Sequence, residues 1–153
     1  MHALALLTAL AVAAPTDGSA AFDRLKKLEG SWKTDAKDGP VQYVMLRLVG
    51  GNAVLETTTG PDRTTVTSAT VYSLEGADLV ATNHGAGGAS RLKVKDADPV
   101  AVRFDGSAKD ARVAGISLVT KDNKLLLEHT VREGGKEVKK SLTLLREYVD
   151  TLK

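Results

Sequence analysis

From Gly30 onward the chain is interrupted by turn signals about every 8–12 residues, too often for a helix to cross over between parallel strands. Gly50-Gly51-Asn52, Glu75-Gly76, Asp122-Asn123 and Gly134-Gly135 are residues that tolerate the positive φ of tight hairpins. Lys37-Asp38-Gly39-Pro40, Gly60-Pro61-Asp62 and Asp96-Ala97-Asp98-Pro99 are further breaks. The runs between these signals predict strands near 30–36, 41–49, 53–59, 64–73, 78–84, 90–95, 100–105, 111–120, 124–132 and 136–147. The Thr-rich stretch from Thr57 to Thr70 belongs to this set, because β-branched side chains pack well on a pleated surface. Short links and no crossover helix predict an all-β, up-and-down antiparallel barrel of eight to ten strands. Closure of such a barrel also removes open edges, which suits a chain that has no cysteine and hence no disulfide.

Ahead of the strands lie two different segments. Ala3 to Ala14 is an unbroken run of Ala, Leu, Thr and Val, too short to span a bilayer as a mature helix. Ala11-Val12-Ala13 and Gly18-Ser19-Ala20 offer small-residue cleavage sites, so residues 1–20 are expected to be a signal peptide and 21–153 a single barrel domain. Export to the periplasm or the extracellular space follows as an expectation. Phe22, Leu25 and Leu28 then recur at helical spacing, with Asp23, Arg24, Lys26 and Lys27 on the other face. This predicts a short amphipathic helix docked on the barrel and stopped at Gly30.

Composition narrows the function. The formal net charge is +2 and spread along the chain, whereas a nucleic-acid binder needs a clustered basic face. The absence of cysteine excludes thiolate metal sites and thiol nucleophiles. No paired-carboxylate motif or His-x-x-x-His spacing is present. The Gly-rich loop Gly85-Ala86-Gly87-Gly88-Ala89-Ser90 is followed by no helix and lacks dinucleotide-fingerprint spacing, so it is expected to be a barrel-mouth loop. Neither a catalytic residue, a metal nor a cofactor is marked.

Alternation on the strands supplies candidates for a ligand site. Leu125, Leu127, His129 and Val131 share one face, and Val138, Lys140, Leu142, Leu144 and Arg146 share another. In the strand 41–49 both faces are partly apolar and alternation does not choose between them. His84 and His129 are possible hydrogen-bonding or acid/base groups of a barrel wall. Glu56, Tyr72 and Arg91 lie on or beside strands, and a pocket needs only a few such groups in an apolar wall. Glu56 is either an internal carboxylate, paired with Arg47 across the Gly50-Gly51 hairpin, or a solvated strand residue.

The helix, the Gly30-Ser31-Trp32 step and the late Arg146 together resemble the calycin pattern of lipocalins and fatty-acid-binding proteins. The segments Gly51–Thr57 and Val71–His84 also resemble secreted bacterial lipocalin-like proteins. The resemblance covers roughly Phe22 to Glu147 and implies a barrel whose first-strand Trp32 is covered by Arg146, with Gly30 at the step. It also implies binding of a small, mostly apolar molecule. Two alternatives remain open at this point: an enzyme using ionisable groups in the cavity, and a structural or protein-interaction module with a filled interior.

Overall fold

A computed structural model of the chain describes residues 17–35, 37, 39–109 and 111–148. The Ala3–Ala14 run and the Ala11-Val12-Ala13 motif lie outside the described residues. Helix α1 (Gly18–Lys27) leads into ten strands: β1 (Gly30–Thr34), β2 (Tyr43–Val49), β3 (Ala53–Thr59), β4 (Val66–Glu75) and β5 (Asp78–Gly85), followed by β6 (Gly88–Asp98), β7 (Ala101–Asp105), β8 (Val113–Lys121), β9 (Lys124–Glu133) and β10 (Lys136–Glu147). Each strand pairs antiparallel with its neighbour in sequence, and β10 pairs back onto β1, closing the barrel. The turn chemistry explains the links. Asp122 and Asn123 both adopt positive φ, at 51° and 61°, as does the Gly134-Gly135 pair between β9 and β10.

α1 starts earlier than the apolar spacing alone predicts. Asp17 caps it by accepting a hydrogen bond from Ser19 N at 2.9 Å, so Gly18-Ser19-Ala20 is helical. Gly18 is there for contact: a Cβ would come within 2.3 Å of Ala77 O and 2.8 Å of Leu79 N. The helix lays Ala21, Phe22, Leu25 and Leu28 over one end of the barrel.

Inside, the lower part of the barrel is packed solid. Leu46, Val54, Leu79, Leu92, Phe104, Leu118, Leu125 and Leu144 are all buried in one apolar cluster with Trp32. Pairing also settles the strand 41–49: Val44 and Leu46 are buried, while Met45 and Arg47 are exposed. Trp32 stands directly opposite Arg146 in the β1–β10 register, and the guanidinium lies 5.3 Å from the indole centroid. The indole N–H donates to Leu28 O at 2.9 Å. Gly30, at φ 133°, leaves the space: a Cβ there would meet Arg146 Nη2 at 3.3 Å. This end is sealed by helix, indole and guanidinium together.

Candidate functional site

Three hairpins in series build the polar part of the interior. Register places Leu46 opposite Glu56, Glu56 opposite Thr70, Thr70 opposite Asn83 and Asn83 opposite Ser90. Glu56, Thr70, Asn83 and Ser90 are all buried. They form a row of four polar side chains on adjacent strands, above the apolar packing and toward the end away from α1. Most of the row is internally satisfied. Asn83 Nδ2 donates to Thr70 Oγ1 at 2.9 Å, and Ser90 Oγ accepts from Val113 N at 3.1 Å.

Glu56 is the exception. The Tyr72 hydroxyl, one step toward the core, donates to Glu56 Oε2 at 2.6 Å, but Oε1 has no hydrogen-bond partner. Across the barrel, His129 Nε2 is 3.9 Å from that same oxygen, beyond hydrogen-bond distance. It too is buried without a partner. Two unsatisfied polar atoms therefore face each other, an arrangement that ordinarily costs about 1–3 kcal/mol per group. His129 also lines a cavity of about 210 Å³ at the open end of the barrel, with Thr58, Ser68, Leu127, Val131 and Leu142 among its walls. His129 thus belongs both to the wall of this cavity and to the orphaned pair, while Glu56 is buried behind it.

Burial pushes the Glu56 carboxyl above the ordinary carboxylate range. The His129 imidazole and the hydrogen bonds from Tyr72 and Thr70 oppose that shift without cancelling it. The same burial, with the Glu56 charge beside it, pushes the Tyr72 phenol well above its ordinary value. A carboxyl raised in the folded state binds its proton more tightly there than in the unfolded chain. Its contribution to stability is therefore complete below the ordinary carboxyl range and is lost as pH rises through the raised value. The melting temperature of Glu56→Gln relative to wild type should accordingly climb as pH rises above the ordinary carboxyl range, because the amide has no proton to lose. Thermal melts at matched ionic strength check this, and a difference independent of pH would refute it.

The residues expected from the sequence separate cleanly. Glu56, Tyr72 and His129 converge. His84, Arg91 and Arg47 do not join them, because all three occupy alternate positions that face outward. His84 is exposed beside the β5–β6 turn. Arg91 pairs with Glu75 on the surface. Arg47 stands opposite Leu55, with its exposed guanidinium near Met45 Sδ, so the Arg47–Glu56 pairing does not form. Gly30, Trp32 and Arg146 build the closed end.

Thr70, Asn83 and Ser90 were not anticipated, although the Glu75-Gly76 and Gly50-Gly51 hairpins contain the signal. Counting back from Glu75-Gly76 sets Thr70 beside Asn83, and counting back from Gly50-Gly51 sets Glu56 beside Leu46. Among the described residues no group of three or more His, Asp or Glu side chains converges to hold a metal, and no helix is long and apolar enough to cross a membrane. Compared with known proteins, the chain matches no family model and no curated protein.

Proposed function

We propose that this barrel binds a small, mostly apolar molecule carrying one hydroxyl or carbonyl, taken in at the end away from α1. The observation that carries the reading is the facing pair of unsatisfied atoms, Glu56 Oε1 and His129 Nε2, of which His129 also lines the open-end cavity. A protonated Glu56 offers an O–H, and an imidazole nitrogen offers a donor or an acceptor. A ligand hydroxyl or carbonyl between them would satisfy what the protein leaves unsatisfied. Leu127, Val131 and Leu142 supply the apolar contact. At about 210 Å³ the cavity is smaller than the usual ligand pocket, so the ligand is small.

The closed meander, the N-terminal helix and the Trp32–Arg146 pair support a calycin-like assignment, and such barrels with an open mouth suit ligand carriage. The apolar leader composition supports export to the periplasm or beyond. Processing at Ala13 rather than Ala20 would leave α1 whole.

A titration with cyclohexanol and with methylcyclohexane tests the reading. Cyclohexanol should shift the His129 ring signals in NMR spectra saturably, and methylcyclohexane should not. His129→Gln should keep much of the binding, because an amide retains a donor and an acceptor. If neither compound nor the matching ketone moves His129, the binding reading fails. One feature favours a second, catalytic reading: an acid held above its ordinary pKa facing an imidazole is a pair suited to proton transfer. In that case Glu56→Gln would abolish turnover while leaving binding intact.

A further inference from the structure

The helix-capped end carries a larger cleft, about 640 Å³, that the reading above does not use. Its walls come from five places: the last turn of α1, Trp32 of β1, the β6–β7 turn, the β8–β9 hairpin and the end of β10. Arg24, Lys27, Lys121, Lys124 and Arg146 line it, against Asp122 as the sole acidic side chain among the described lining residues. Two of the five cations are occupied. Lys124 pairs with Asp35 at 3.2 Å, and Arg146 covers Trp32 while donating to Glu29 O. Arg24, Lys27 and Lys121 form no ion pair among the described residues.

Compensation of the helix dipole accounts for Arg24 and Lys27 in the last turn. It does not account for Lys121, which reaches the same cleft from a different element. Convergence of like charges on a concave surface raises its potential and favours an anion. The cleft is also partly apolar. Val100, 53% exposed, and Tyr148, 86% exposed, line it above the edges of Leu28 and Trp32.

We propose that this cleft binds an amphiphilic phosphate monoester. The phosphate sits among Arg24, Lys27 and Lys121, and the apolar part lies against Val100, Tyr148 and the indole edge. Phosphate fits better than carboxylate because it carries close to two negative charges at neutral pH and three acceptor oxygens. An arginine fork can also engage two of those oxygens at once.

The only tryptophan of the chain lines the cleft, so its fluorescence reports binding directly. Octyl phosphate should perturb Trp32 emission saturably, with an affinity at least about tenfold above that of octanol or octanoate, and the affinity should fall with added salt. Lys27→Ala with Lys121→Ala should weaken octyl phosphate about tenfold while leaving octanol unchanged. Both lysines are surface residues, so the melting temperature of this variant should stay near that of wild type. His129→Gln, at the other end, should leave the titration untouched, which separates this site from the open-end cavity. Octanol or octanoate binding as tightly as octyl phosphate would overturn the proposal. A double variant that titrates like wild type, or the absence of any saturable change, would overturn it equally.

Discussion

Trp32→Ala should destabilise the protein by about 3–5 kcal/mol, the range for deleting a large buried aromatic side chain. Trp32 is 4% exposed and holds three parts of the closed end together. Its ring packs in the core beneath α1, its N–H satisfies Leu28 O near the helix C-terminus, and its face lies under Arg146. The helix cannot collapse into the gap, because Gly18 already touches the β4–β5 turn. Arg146→Ala should cost less, about 0.5–2 kcal/mol for the stacked cation, while raising acrylamide quenching of the indole. Chemical denaturation measures the first effect and fluorescence quenching the second. A Trp32 that is already readily quenched in the wild-type protein would contradict both.

Tyr72→Ala is the second large effect, again about 3–5 kcal/mol for the buried ring. Tyr72 is fully buried, packs against Phe104 with centroids 5.2 Å apart, and supplies the hydrogen bond to Glu56. Tyr72→Phe isolates the last of these. It removes the phenol's donation to Glu56 Oε2, beside an Oε1 that already lacks a partner, which should cost about 1–3 kcal/mol. The loss should grow with pH, since the ionised carboxylate needs the donor more than the neutral acid does. Combining Tyr72→Phe with Glu56→Gln should cost less than the sum of the two, because the phenol and the carboxyl share one interaction. Strict additivity would show that the 2.6 Å contact contributes little.

Turn chemistry made most of the architecture legible. Strands predicted at 53–59 and 136–147 have the observed bounds, and β8 and β9 meet at Asp122-Asn123 as expected. The errors lie where a different force sets the boundary. β6 runs from Gly88 to Asp98 rather than 90–95: pairing with β5 draws Gly88, Ala89 and Ser90 out of the expected loop, and a bulge at Val94–Asp96 carries the strand into the expected Asp96–Pro99 break. α1 begins at Gly18 because Asp17 caps it and Gly18 fits against Ala77, and neither cause has a hydrophobic period. In β2, where Tyr43 and Leu46 lie on opposite faces, inward and outward could not be told apart until pairing fixed Leu46 beside Glu56.

The candidate site was legible as far as local register reaches. Thr70 beside Asn83 follows from counting across the Glu75-Gly76 hairpin, whereas Glu56 beside Thr70 depends on the bulge at Thr58/Thr59. The approach of His129 to Glu56 does not follow from counting, because it depends on closure of the barrel and the stagger of strands on opposite walls. Arg47, Arg91 and His84 looked equally polar in the sequence. One position of alternation set each of them outside.

Sealing of the barrel has a consequence for how the chain is made. The β1–β10 seam joins the first strand to the last, and the Arg146–Glu29 hydrogen bond across it spans 117 positions. During synthesis every hairpin from β2 to β9 can form next to its neighbour as it emerges. The seam has to wait for the final strand. Until then β1 and β9 each present an unpaired edge, the indole lacks its cover, and the sheet is an open, sticky ribbon. The last dozen residues of β10 thus act as the closure step of folding. Truncation there would leave a nearly complete polypeptide that cannot become a barrel, and such contacts between distant parts of the chain are the slow ones to form.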